Sequence, residues 1–259
     1  MVLTTSSVRL WFRSLFFLWV TESKLFLRQP IAAFFTFVFP VTLFLLFGSI
    51  FGDSYLWDRP DLRYIDFYAP ALISAYVGQA GLVNVTSFLA LYRQVGVLKR
   101  YVASPVTLCA YLCAHIAVQF TALLTSSLIL AVVAECVFDV DFRGHWASVL
   151  IVAVISTACF FALGFLVSGL FKSPRGIQAT GQFLFLAMFF VSGATFPRQL
   201  FPEWLLTLSK VSPLTHVVET FTGIWLGDPI SQHINSLILL AFITALAYVI
   251  SSTTFKWEV

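Results

Sequence analysis

The chain has 259 residues, of which 59% are hydrophobic and only 10% charged, with a formal net charge of +3. Soluble domains run at about 45–50% apolar and about 25% charged, so this composition excludes a soluble domain and indicates a membrane protein. Its apolar runs are continuous, without the alternation over about 10 residues of a membrane barrel, and so indicate helices.

A bilayer core of roughly 30 Å takes about 20 apolar residues per helix. Six stretches meet that need, at about 31–51, 67–91, 108–134, 146–171, 177–194 and 234–252. The expected fold is an all-α membrane protein of six transmembrane helices, forming one domain over residues 1–259.

Residues 7–28 come before the first of these spans. With about 100° of rotation per helical residue, Arg9, Arg13, Lys24 and Arg28 fall within one quadrant, and apolar residues cover much of the rest. A basic stripe on a helix rich in Phe, Leu and Trp predicts an amphipathic interface helix lying in the cytoplasmic membrane surface. It does not read as a signal peptide, because "LFFLWV" is short and Thr21, Glu22, Ser23 and Lys24 occupy the place of a cleavage site. Pro30 then disfavours helix at Gln29 and turns the chain into the first span.

Residues 52–66 and 138–145 are expected as outer loops, both too short for a domain. Between the second and third spans lies "GVLKRYVASPVT", residues 96–107, where Lys99 and Arg100 interrupt a nearly uncharged neighbourhood. A short helix parallel to the membrane fits this interval, ending before Ser104 and Pro105. On it Val97, Leu98 and Tyr101 project together as an apolar knob, flanked by the two cations.

Between the fifth and sixth spans, Leu214, Val217, Val218, Phe221, Ile224 and Trp225 repeat at helical spacing. A helix from Leu214 to Leu226 covers about 20 Å, which cannot cross the core, so it dips in and returns or lies flat. With "FPEWLLTLS" before it, a pair of short outer-leaflet helices is expected, with Pro202 and Pro213 near their starts. His216 is expected to face the interface.

Basic residues divide unevenly between the two sides of the spans. One side collects Arg9, Arg13, Lys24, Arg28, Arg93, Lys99, Arg100, Lys172, Arg175 and Lys256; the other has Arg59, Arg63, Arg143, Arg198 and Lys210. The positive-inside rule makes the first side cytoplasmic, with both termini on it. The chain is therefore expected to be a multi-pass protein of the cell membrane.

Signs of enzyme chemistry are missing. No HExxH or GxSxG motif occurs, and no Gly is followed by Lys, so the phosphate-binding GxxxxGK[ST] loop is absent. The chain is not expected to be an enzyme, and energy for uphill movement must come from a partner or an ion gradient. Cys109 and Cys113 share a helix face near His115, but the fourfold spacing of a zinc site is missing, so no metal is expected. "NVT" at Asn84 to Thr86 lies inside the second span and is not expected to be glycosylated. Glu135, at the outer end of the third span, is expected to be the sole acid near lipid depth.

The spans carry stripes of uncharged polar residues instead. His115, Gln119 and Ser126 share a face of the third span, and Gly164 and Ser168 lie on the fourth; both sets suit helix packing. On the second span Tyr76, Gln79, Thr86 and Ser87 share roughly a quadrant, and Gln178 and Gln182 are one turn apart on the fifth. The bulkier amides Gln79, Asn84 and Gln182 are candidates for a translocation path, with helix packing as the alternative.

Together these features resemble the permease subunit of type-2 ATP-binding-cassette exporters. The most specific parts are "GVLKRYVASPVTLCAY", residues 96–111, and "SGATFPRQLFPEWLLTLSKVSPLTHVVE", residues 192–219. The first is similar to the family's cytoplasmic coupling segment; the second is similar to its succession of SG, FP, P-x-W-L and PLT before the last span. "ESKLFLRQP" is similar to the family's interface helix.

The resemblance implies coupling to an ATPase through Val97, Leu98, Lys99, Arg100 and Tyr101. It implies two separate ABC ATPase subunits that bind ATP and Mg, a second permease of the same or a related chain, and a lipid surround. This chain itself would carry no cofactor, and no nucleic-acid partner is expected. The implied activity is export of a hydrophobic or amphipathic small molecule from the cytoplasm or inner leaflet, as in the multidrug and daunorubicin-resistance branch.

An alternative cargo is a lipid-linked glycan, with Tyr55, Trp57, Tyr64 and Trp204 as stacking surfaces. An ion-coupled carrier acting without an ATPase is a third reading, disfavoured because neither ionisable residues nor broken helices are apparent at mid-membrane.

Overall fold

The computed structural model of the chain describes residues 5–56, 59–95, 108–196, 198 and 201–254. Helix α1, Thr5–Leu27, forms over the basic and apolar segment as expected. After a turn at Arg28 and Gln29, helix α2 runs over residues 30–51 as Pro30–Ala33, a π-helical turn Phe34–Val38, and Phe39–Phe51. Helix α3, over residues 64–95, is likewise Tyr64–Gln79, a π-helical turn Ala80–Val85, and Thr86–Val95. The remaining helices are α4 Leu108–Phe138, α5 Trp146–Leu170, α6 Pro174–Val191, α7 Glu203–Ser209, α8 Pro213–Trp225 and α9 Ile234–Thr254.

Among the described residues, five helical stretches are long and apolar enough to cross a bilayer: Phe34–Phe51, Tyr64–Gln94, Ala110–Phe138, Trp146–Leu170 and Ile230–Thr254. The expected fifth span, at 177–194, is the exception. Helix α6 begins at Pro174, and Arg175, Gln178 and Gln182 dilute the apolar character of its first half. The chain is thus an all-α membrane protein in which five of the six expected spans stand out by length and composition.

Helix α3 is the hub. Of its most apolar stretch 72% is buried, against 11% for the stretch ending in α9, which leaves α9 facing outward along most of its surface. Contact between α3 and α5 is backbone to backbone: a Cβ on Gly164 would run into the Gly81 carbonyl, and one on Gly81 into the Phe160 carbonyl. Small residues allow this approach in membrane helices, where close packing replaces the hydrophobic drive.

The segment before α9 differs from expectation at His216. In α8, Thr215, Thr220 and Thr222 are buried along with Leu214, Val217 and Phe221. The helix packs against α3, α5, α6 and α9, so it dips into the bundle rather than lying on it. It ends at Gly227, whose φ of +105° is open to glycine at little cost. His216 is not simply an interface-facing residue. Its Nε2 lies 3.0 Å from the Lys210 carbonyl and its Nδ1 3.3 Å from Ser236 Oγ, tying α8 to α9.

The expected loop at 52–66 contains a two-stranded antiparallel hairpin, β1 Tyr55–Leu56 and β2 Arg59–Arg63. Arg63 donates from Nε and Nη2 to the Asp66 carboxylate at 3.1 and 3.0 Å, and from Nη2 to the Asp139 carbonyl at 2.9 Å. The hydrogen bond to Asp66 raises the Arg63 pKa against the opposing effect of burial. This knot joins the hairpin, the start of α3 and the end of α4.

Candidate functional site

Pro30 separates α1 from α2 and lets the chain turn there, so the end of α1 comes to rest beside the first turns of α2. Both π-helical turns then lie on the same side of the bundle. In α2 the turn exposes the Thr36 carbonyl, which accepts from Tyr76 Oη and, at 2.8 Å, from Ser126 Oγ. In α3 the Thr86 hydroxyl turns back on the carbonyls of Leu82 and Val83, at 2.6 and 3.1 Å. A π turn displaces the faces of the helix on either side of it and is frequent at functional sites.

Between these turns opens a cavity of about 780 Å³, lined by Arg28, Gln29, Pro30, Phe35, Thr36, Gln79, Val83, Asn84, Ser87 and Gln182. This is within the range of sites that hold drug-sized molecules. The three amides singled out in the sequence, Gln79, Asn84 and Gln182, share its wall. Gln182 arrives from α6 because Gly181, its neighbour, packs directly on the Leu82 carbonyl and the Thr86 side chain. Gln178, one turn earlier, is outside the lining.

Behind the wall runs a chain of polar contacts. Asn84 Nδ2 donates to Gln119 Oε1 at 3.1 Å, and Gln119 Nε2 lies 3.3 Å from His115 Nε2. The Gln119 amide nitrogen can only donate, so His115 Nε2 accepts and the ring proton sits on Nδ1. His115 Nδ1 is 4.0 Å from Glu22 Oε2, too long for a hydrogen bond, while Tyr111 Oη donates to Glu22 Oε1 at 2.8 Å. The Phe88 ring stacks on His115 with centroids 3.3 Å apart. The chain therefore leads from the cavity through α4 to helix α1.

Glu22 meets residues within the first turns of α4, and Asp66 is buried in the first turn of α3 and paired with Arg63. Trp19 Nε1 also donates to Thr121 Oγ1 at 3.3 Å, so α1 is fixed along α4. Of the basic stripe, Arg28 reaches the cavity, while Arg13 and Lys24 are exposed and outside its lining. The Arg13 guanidinium lies 5.8 Å over the Phe17 ring. Arg9 lies on α1 but outside the residues whose side chains are described.

Val97, Leu98, Lys99, Arg100 and Tyr101 lie outside the described residues. Just before them, Arg93 Nη1 donates to the Phe171 carbonyl at 2.7 Å, tying the end of α3 to the end of α5. Of the outer aromatics, Tyr64 is buried in a stack with Tyr68 and donates to the Thr195 carbonyl at 3.1 Å, which removes it as a glycan platform. Trp57 lies outside the described residues, and Tyr55 and Trp204 are exposed.

Among the described residues no group of His, Cys, Asp and Glu could hold a metal ion. The site is a polar-walled cavity among apolar helices, with groups suited to binding and, among the described residues, none arranged as a nucleophile or acid–base pair.

The sequence model of the ABC-2 type transporter family matches residues 13–226. The chain is 29% identical over 194 residues to the probable multidrug ABC transporter permease YbhR of Escherichia coli K12, covering 73% of this chain and 52% of that one. It is 25% identical over 213 residues to the inner membrane transport permease YadH of the same organism, covering 81% and 82%. With ABC transporter G family member 20 of Dictyostelium discoideum it shares 23% identity over 196 residues, 75% of this chain and 26% of that protein. The chain thus spans about half the length of the first of these curated relatives, at 52%.

Proposed function

The chain belongs to the ABC-2 type transporter family, and from that premise we propose that it is the membrane permease of an ATP-driven exporter of hydrophobic or amphipathic small molecules. The observation that carries this reading is the cavity in which Gln79, Asn84 and Gln182 converge from α3 and α6. Amides in such a wall bind varied polar groups, while Phe35 and Val83 offer apolar contact. The multidrug naming of YbhR supports a small-molecule cargo. Buried Tyr64 weighs against the glycan alternative.

Energy would come from separate subunits, because the sequence has no phosphate-binding loop. In this reading two ATPase subunits hold ATP and Mg and dock on the 96–107 segment. A second permease, identical or related, pairs with this one, and both termini lie in the cytoplasm. Ties between α1 and α4, and between the ends of α3 and α5, let movement at the cytoplasmic side reach the cavity wall.

Copurification with candidate ATPases, followed by a hydrolysis assay, tests the reading. The purified chain alone is expected to hydrolyse no ATP, and the complex to hydrolyse it faster with cargo present. Hydrolysis by the contaminant-free chain, or a failure of every ATPase of the source cell to associate, would overturn it.

A further inference from the structure

We propose that the cavity selects an amphipathic anion, with Arg28 as the residue that sets the charge preference; this rests on reading the cavity as the cargo path. Among the described residues, Arg28 is the one ionisable side chain in the lining. The other polar groups there are the amides and hydroxyls of Gln29, Thr36, Gln79, Asn84, Ser87 and Gln182. The acid that precedes Arg28 most closely in the chain, Glu22 on α1, meets Tyr111 and lies near His115. Among the described residues no carboxylate lies within ion-pair distance of Arg28.

The wall therefore carries one fixed positive charge and, among the described residues, nothing to balance it. A carboxylate, sulfate or phosphate head would supply the missing counter-charge and could accept two parallel hydrogen bonds from the guanidinium. An ammonium head would be repelled by the same charge. Pro30, Phe35 and Val83 supply apolar surface for the body of the same molecule. The competing account makes Arg28 only an orientation signal at the membrane surface. It predicts no charge preference in the cavity.

The test uses the purified full chain in phosphatidylcholine nanodiscs and two fluorescent probes with the same dansyl group and undecyl chain, one ending in carboxylate and one in ammonium. The carboxylate probe is expected to bind about tenfold more tightly than the ammonium probe. Arg28→Gln should bring the two affinities close together, and Arg28→Lys should keep the preference; Arg28 is exposed, so both variants are expected to fold.

Equal binding of both probes to the wild type, with both weakened by Gln182→Leu, would leave the cavity reading standing and overturn the anion inference. Absence of binding, or binding unaffected by Gln182→Leu, would overturn the cavity reading and the inference with it. Repeating the titration with phosphatidylglycerol in the nanodisc separates two sources of the anion. Displacement of the carboxylate probe assigns the site to a lipid headgroup, and lack of displacement to a free amphiphile; both results keep the anion preference.

Discussion

Replacing Glu22 by alanine would remove the hydrogen bond from the Tyr111 hydroxyl that joins α1 to α4. A hydrogen bond to a charged group contributes about 1.5–3 kcal/mol. Detergent-solubilised E22A is therefore expected to melt below the wild type, with E22Q between them because its amide oxygen still accepts from Tyr111. Identical melting of E22A and the wild type would show that this contact does not hold α1 in place. In the cavity itself, Gln79→Leu and Gln182→Leu each remove an amide of the kind that contributes about 1 kcal/mol per hydrogen bond. They are expected to change by about fivefold the ratio in which two chemically different compounds stimulate the assembled complex. If both variants merely reduce assembly while the ratio holds, these amides pack helices instead. All three path candidates are legible in the sequence because bulky amides are conspicuous within apolar runs. Glu22 and Arg28 are not, since their surroundings come from residues far along the chain, and the sequence carries no local sign of Tyr111 beside Glu22 or of the cavity wall that Arg28 shares with Gln182.

At the scale of elements, the backbone contact between α3 and α5 leaves no room at Gly164 for a side chain. Overpacking of this kind typically costs about 1–3 kcal/mol, so Gly164→Val is expected to lower both the yield of folded protein and its melting temperature. A variant with wild-type yield and melting would mean that the helices can separate there freely. Helices are readable from the length of the apolar runs, but the faces of α3 are not. A uniform 100° step groups Tyr76 and Thr86 with Gln79 and Ser87 in roughly one quadrant, too coarse to say which of them meet a neighbouring helix and which the cavity, and the π turn at Ala80–Val85 interrupts that step. Tyr76 and Thr86 are buried against neighbouring helices, while Gln79, Val83, Asn84 and Ser87 line the cavity. In helix α8 the hydroxyl residues interspersed with the apolar ones are buried, since in a bundle hydroxyls also pack between helices. For the 96–107 segment the sequence is the guide, and its apolar knob argues for a docked surface. Leu98→Asp is expected to leave the chain inserted but to cut ATPase copurification and transport severalfold; wild-type values for both would reduce the segment to an orientation signal.

For the molecule as a whole, the account is of a permease whose polar-walled cavity carries cargo and whose energy arrives from outside the chain. Six spans are readable in the sequence, and five of them stand out in the structure. The remaining one, α6, is weaker in apolar character because of Arg175, Gln178 and Gln182, of which Gln182 lines the cavity. It gives Gly181 to the packing against α3 and Gln182 to the lining. The most direct test is transport of an amphipathic probe in proteoliposomes containing the purified chain, with and without its partner ATPase. Probe movement is expected only with the ATPase, ATP and Mg together, and Gln182→Leu should alter which probes move. Movement by the chain alone, driven by a proton or sodium gradient and indifferent to ATP, would contradict the account.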